Sequence, residues 1–126
     1  ISVKNLLYAL FLESSNDAAF ALARTLGQEK FVRLMNQKAQ ELNLEKTHFI
    51  DPSGYEPENV STPWELAQLI KYSLKYPLLW EILGTTQKEI YSPDGKVVHY
   101  WRNTNRLLGK WPNIIGGKTG YTEEAG

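Results

Sequence analysis

The sequence predicts a mainly α fold with one β-hairpin and a C-terminal strand. Three features point there. Apolar residues recur at helical spacing through residues 1–83, interrupted by cap and turn residues. After Gly84 the pattern changes to two short strand-like runs around Ser92-Pro93-Asp94-Gly95. Residues 113–122 are then rich in Ile and Gly, as expected of a strand that other backbone approaches closely.

Val3, Leu6, Leu7, Leu10 and Phe11 place an amphipathic helix over residues 3–13. Ser14-Ser15-Asn16-Asp17 breaks it with four residues that favour caps and turns. Ala18, Ala19, Leu22, Ala23 and Leu26 form the stripe of a second helix, which Gly27 stops; its small residues permit close packing. A third helix covers 28–42, with Phe31, Leu34, Met35, Ala39 and Leu42 in period and the Gln37 and Lys38 stems at the stripe's edge. Residues 43–60 read as a loop punctuated by Asp51-Pro52-Ser53-Gly54 and Glu56-Pro57. Thr62 as N-cap, Pro63 at the first helical position and Glu65 at the third make a capping box, and Leu66, Leu69, Ile70 and Leu74 carry that helix to about Lys75. Tyr76-Pro77 restarts a short helix through Leu83, ended by Gly84. Lys88–Tyr91 and Lys96–Trp101 are the hairpin strands, and Asn113–Thr122 is the last strand.

At 126 residues the chain is one domain or a piece of one. An apolar fraction of 42% with 12% aromatics places it among folded chains and not disordered ones. Lys and Arg number 14 against 14 Asp and Glu, which gives no sign of a nucleic-acid partner or a polybasic membrane patch. Residues 84–120 carry six Lys/Arg against Glu89 and Asp94, a local net of +4, while residues 1–83 carry eight against ten, a net of −2. That basic end suits an anionic substrate or a solvated face. Cysteine is absent, so disulfides and thiolate chemistry are excluded. No apolar run reaches the ~18 residues of a spanning helix, so membrane attachment would come only through segments outside this chain. Both ends read as cut from a longer polypeptide, with no leader peptide at the start.

Two short blocks carry chemistry. Lys118-Thr119-Gly120 offers an ammonium worth roughly 4 kcal/mol of attraction to a carboxylate 4 Å away at an effective dielectric near 20. It adds a threonine hydroxyl for a directional hydrogen bond and a glycine that leaves the backbone open to a peptide. On a strand, Lys118 and Gly120 would share one face and Thr119 the other. Ser14-Ser15-Asn16 would project a hydroxyl able to relay a proton, and an amide able to grip a peptide group, from a corner between helices. Taken singly, a surface strand end and a plain helix cap are the default readings of the two blocks.

Other polar residues read as structural. His48 is a loop histidine, His99 sits in the second hairpin strand beside Tyr100 and Trp101, and two histidines without nearby carboxylates give no metal site. No cofactor is implied. Asp51 is a turn residue before Pro52. Trp64, Trp80, Trp101 and Trp111 serve as core or surface anchors, and Arg106 either lines a cleft or faces solvent.

Taken together, the blocks and the chain between them resemble the D-alanyl-D-alanine carboxypeptidases of the low-molecular-mass penicillin-binding proteins, serine peptidase family S11. The resemblance runs from Ile1 to Gly126. It includes Leu6-Leu7-Tyr8-Ala9-Leu10, Ser14-Ser15-Asn16-Asp17-Ala18-Ala19, Met35-Asn36, Leu42-Asn43-Leu44 and Thr47-His48-Phe49. It continues with Gly54, Ser61-Thr62, Asn103-Thr104-Asn105-Arg106-Leu107-Leu108, Gly117-Lys118-Thr119-Gly120-Tyr121-Thr122 and Ala125-Gly126.

The resemblance implies roles. Ser14 would help move a proton between nucleophile and leaving group, and Asn16 would hold the substrate backbone. Lys118 would fix the terminal D-Ala carboxylate and the electrostatics of the catalytic pair, Thr119 would hydrogen-bond that carboxylate, and Gly120 would complete the substrate-binding edge. It implies partners too: a peptidoglycan stem peptide ending in D-Ala-D-Ala, and β-lactam antibiotics for the parent protein, met outside the cytoplasmic membrane. The family's nucleophilic Ser, followed three residues later by its Lys base, is missing, since no Lys here has a Ser three positions before it. Thr85 and Lys88 have the separation but lie in the wrong order, in a strand. The isolated chain is therefore expected to be inactive.

The resemblance further implies a partial peptidase domain over 1–126, with 1–83 as part of the helical subdomain of a β-lactamase/transpeptidase-like fold and 84–126 as hairpin and Lys-Thr-Gly strand. An unpaired edge at 113–122 would invite self-association. Two alternatives stand beside this reading. A class A β-lactamase-like hydrolase shares the two blocks but usually has Asp where Ser15 stands. A non-catalytic peptidoglycan-binding module would need no nucleophile at all.

Overall fold

The computed structural model describes residues 1–92 and 94–125; Pro93 of the hairpin turn and Gly126 of the final Ala-Gly pair lie outside the described residues. Five helices precede a two-stranded antiparallel sheet: α1 Val3–Glu13, α2 Asn16–Arg24, α3 Gln28–Glu41, α4 Pro63–Ser73, α5 Pro77–Leu83, β1 Gln87–Tyr91 and β2 Val98–Arg102. The mainly α fold with a hairpin is thus what the chain adopts. No described helix is long and apolar enough to cross a membrane.

The chain forms two compact units, one of Ile1–Ala18 with Tyr76–Gly120, the other of Ala19–Lys75 with the residues from Tyr121 on. In the first, α1 packs against α5 and both strands. Its core joins Tyr8, Ala9, Leu12, Ala18, Ile82, Ile90 and Trp101, with Leu12 and Ile82 wholly buried. The strands pair Lys88 with Trp101 and Ile90 with His99, which sends Ile90 and Trp101 to one face. His99 and Trp101 stack on that face, 5.8 Å between ring centres.

The hairpin's exit is fastened by a short polar knot. The Asn103 side-chain amide donates to the carbonyls of Leu83 (3.1 Å) and Thr85 (3.0 Å), and its oxygen accepts from the Asn105 N–H at 2.9 Å. The Asn103 N–H reaches the Thr86 carbonyl at 2.8 Å, and the Thr104 N–H reaches the Leu12 carbonyl at 2.9 Å. One turn thereby ties the end of α1, the end of α5 and the start of β1.

Residues 113–122, expected as a strand, have no regular secondary structure. A strand needs a neighbour for its ladder, and the two strands among the described residues pair with each other. Gly116 there answers to a different contact. A Cβ on Gly116 would lie 3.0 Å from the Leu83 carbonyl carbon and 3.1 Å from the Gly84 nitrogen, and one on Gly84 would lie 2.6 Å from the Ile115 oxygen. Backbone meets backbone at this crossing, and neither position has room for a side chain.

In the second unit the helix ends follow their sequence signals. Asn43 takes a left-handed conformation (φ 55°), with its N–H on the Gln40 carbonyl and the Leu44 N–H on the Ala39 carbonyl, both at 2.9 Å. That is a Schellman ending with Asn in the glycine position, and it stops α3 at Glu41 instead of 42. Thr62 caps α4, its hydroxyl accepting from the Glu65 N–H at 3.2 Å. The expected box is only half used, because the Glu65 carboxylate turns to the Lys46 N–H (2.9 and 3.1 Å) and the Thr47 hydroxyl (2.5 Å). It anchors the start of the 43–60 loop, whose two edges meet where His48 and Val60 exchange backbone hydrogen bonds of 2.8 and 2.9 Å.

Asp51 organises that loop. Its buried carboxylate accepts from the N–H groups of Ser53 (2.5 Å), Gly54 (2.9 Å) and Glu56 (3.0 Å), from the Ser53 hydroxyl and from the Asn59 side chain. Burial pushes its pKa up, but these hydrogen bonds outweigh burial and bring it from 3.8 to about 2.

A carboxylate depressed in this way stabilises the fold fully above its unfolded value, and the stabilisation is lost as pH falls through the folded value. Asp51→Asn should lower unfolding free energy on the order of 2 kcal/mol at neutral pH, with the gap to wild type closing between about pH 4 and pH 2. Urea unfolding at several pH values measures it; a gap independent of pH would contradict the assignment. Asn103→Ala should cost about 2 kcal/mol and lower the urea midpoint at unchanged slope, because it strands two carbonyls and an amide. An unchanged midpoint would contradict the role given to this knot.

Candidate functional site

The first unit brings the two sequence blocks together. α1 ends at Glu13, and Ser14 closes it in a left-handed conformation (φ 62°, ψ 36°) with its N–H on the Ala9 carbonyl. Such a conformation disfavours a residue with a Cβ by about 1–2 kcal/mol, and glycine would be the relaxed choice. A serine held there signals a demand on its side chain. Its Oγ accepts a hydrogen bond from the Lys118 ammonium.

The neighbouring serine does the capping. Ser15 Oγ accepts from the Ala18 N–H at 3.3 Å, the usual bond of an N-cap, so α2 starts at Asn16, earlier than the sequence pattern suggested. Ser14 is thereby left for Lys118. Asn16, as the first residue of α2, and the neighbouring Asp17 are exposed, and both sit on the turn that Ser14 opens. Ser14 thus closes α1 and Ser15 opens α2, and of the two hydroxyls it is that of Ser14 that meets Lys118.

Lys118 also donates to the Thr119 carbonyl at 2.6 Å. Its residue is exposed as a whole, yet desolvation of the ammonium lowers its pKa from the usual 10.5. No carboxylate accompanies it among the contacts of the described residues, so an arriving anion would supply what water does not. Thr119 places its hydroxyl 2.5 Å from that of Thr104. A Cβ on Gly120 would meet nothing within 4 Å, so backbone beside Thr119 is open.

Thr104 is the member of this cluster that the sequence reading did not single out. It lies within the Asn103–Leu108 block, whose Arg106 is exposed. The readable signal was the Asn-Thr-Asn run itself, three residues whose short polar side chains bind nearby backbone. Thr85 and Lys88 are engaged elsewhere: the Thr85 hydroxyl donates to the Glu81 carbonyl at 2.8 Å, and the Lys88 ammonium lies 5.3 Å from the Tyr8 ring centre. Among the described residues no group of three His, Asp or Glu could hold a metal ion.

Comparison with known proteins gives the chain's family. The family model described as D-alanyl-D-alanine carboxypeptidase (Peptidase_S11) matches residues 1–126. The D-alanyl-D-alanine carboxypeptidase DacF of Bacillus subtilis is 38% identical over 129 residues, which cover 99% of this chain and 33% of that protein. The D-alanyl-D-alanine endopeptidase of Escherichia coli is 35% identical, with 100% and 42% covered. Among solved structures, the Streptomyces K15 DD-transpeptidase matches at a TM-score of 0.89 and 32% identity, over 98% of this chain and 52% of that one. A D-alanyl-D-alanine carboxypeptidase from Mycobacterium tuberculosis matches at 0.88 and 35%, over 98% and 48%. The chain therefore spans a third to about half of the relatives it matches, and its five helices and hairpin correspond to the helical portion of the transpeptidase-like fold. Matched along its whole length, this chain belongs to the D-alanyl-D-alanine carboxypeptidase family of peptidases, S11.

Proposed function

We propose that the chain is the substrate-holding part of a serine-type D-Ala-D-Ala carboxypeptidase that removes the terminal D-Ala from peptidoglycan stem peptides outside the cytoplasmic membrane. The observation that carries this reading is the Lys118 ammonium on the Ser14 hydroxyl, with Thr119 beside it. Lys118 and Thr119 bind the terminal carboxylate, and the Asn16 amide holds the peptide backbone that lies along the open edge at Gly120.

The reaction is an acyl transfer. A serine oxygen attacks the carbonyl of the penultimate D-Ala, the C–N bond breaks, and the terminal D-Ala leaves as an amine that has gained a proton. Water then cleaves the ester and regenerates the serine. Because Ser14 Oγ accepts from Lys118, its own hydrogen points away and can pass to the leaving nitrogen, while Ser14 is re-protonated with the proton that the nucleophile gave to its base. The nucleophilic Ser and its Lys base lie in a part of the protein outside these 126 residues, which contain no Ser-x-x-Lys. β-Lactams enter by the same route and stay as the acyl-enzyme.

Fluorescent penicillin tests both halves of the reading. The full-length protein should become covalently labelled and release D-Ala from a peptide ending in D-Ala-D-Ala, whereas the isolated 126-residue chain should remain unlabelled. Lys118→Ala in the full-length protein should lower kcat/KM about a hundredfold, the effect of removing a preorganised charge from a reacting site. A labelled isolated chain, or an unlabelled full-length protein, would overturn the proposal.

A further inference from the structure

We infer that Thr104 is a positioning residue that aims the Thr119 hydroxyl at the substrate carboxylate, an inference that rests on the function proposed above. The two hydroxyl oxygens lie 2.5 Å apart, and one of them must donate. A carboxylate has no hydrogen to give, so Thr119 can bind it only by donating its own. Thr119 Oγ1 must then be the acceptor in the pair, and Thr104 the donor. With its lone pair engaged in this way, the Thr119 hydrogen is directed away from Thr104 and made a stronger donor.

Thr104 is built to keep that direction. Its N–H is fixed on the Leu12 carbonyl at 2.9 Å, two residues before Ser14. Asn103 before it is held on Leu83 and Thr85, and Asn105 after it donates back to Asn103. A threonine on a fixed backbone has few side-chain orientations, because branching at Cβ restricts χ1. One residue therefore relates the backbone next to Ser14 to the hydroxyl next to Lys118. A hydroxyl is also uncharged, so it orients Thr119 without competing for the carboxylate, as a cation at this position would.

The test uses the full-length protein with two substrates: a peptide ending in D-Ala-D-Ala, and the same peptide as its C-terminal amide, which has no carboxylate to bind. Thr104→Val keeps the shape and removes the hydroxyl. It should lower kcat/KM for the free acid about fivefold to tenfold, mainly through KM, and change the amide less than about twofold. Thr104→Ser should restore the free-acid value to within about twofold. In a Thr119→Val background, Thr104→Val should have no further effect, which separates orientation of Thr119 from any general loosening of the site. Equal losses on both substrates, failure of serine to rescue, or full additivity with Thr119→Val would each overturn the assignment. Wild-type activity with an unaffected Thr104→Val variant removes only the role of Thr104. A wild-type protein that neither releases D-Ala nor takes penicillin removes the underlying function, and the assignment with it.

Discussion

The hydrogen bond from the Thr104 N–H to the Leu12 carbonyl is the constraint on which the meeting of Ser14 and Lys118 depends. It joins the last buried turn of α1 to the exit of the hairpin. Around it, Asn103 fastens the same turn to the end of α5, and the bare backbones of Gly84 and Gly116 let the segment leading to Lys118 lie against that end. Each bond alone contributes about 1 kcal/mol. Their value lies in sharing one short run of chain, so that the ends of α1 and α5, the start of β1 and the Lys-Thr-Gly segment cannot move independently. Leu12 and Ile82, both fully buried, give that polar knot a packed floor.

On this frame, two adjacent serines divide two tasks. Ser15 completes α2 by binding the Ala18 N–H, and Ser14 accepts an unfavourable backbone conformation to meet Lys118. The arrangement joins a serine of strained backbone to a partly desolvated ammonium, and both features cost stability. An anionic ligand offsets the second cost directly, by replacing water around the charge. In the proposed function, binding and proton relay would share one ammonium: the charge that would draw the carboxylate donates to the Ser14 hydroxyl.

Much of the fold was legible in the sequence because it is locally encoded. The apolar period placed every helix, and Thr62-Pro63 and Gly84 marked helix ends. What the sequence could not convey was non-local. Residues 113–122 look like a strand in composition, but a ladder is a property of two segments, and none forms there among the described residues. Glu65 fits a capping box by spacing, yet its carboxylate went to Lys46 and Thr47, partners 19 and 18 residues away. The stripes of α3 and α4 are periodic, but Leu34, Leu66 and Ile70 remain exposed, since period reports a helix and not what covers it. The site divided in the same way. Ser14, Asn16 and the Lys-Thr-Gly segment stand out as short blocks, whereas Thr104 acquires meaning only through Leu12 and Thr119, 92 and 15 residues away.

The central claim is that these 126 residues hold the substrate while the nucleophile stands elsewhere in the protein. Mapping the penicilloyl adduct on the full-length protein by peptide mass spectrometry tests it most directly. The adduct should fall on a serine of a Ser-x-x-Lys sequence outside this chain, with no modified peptide from within it. An adduct on Ser14, or on any other serine of these 126 residues, would contradict the account.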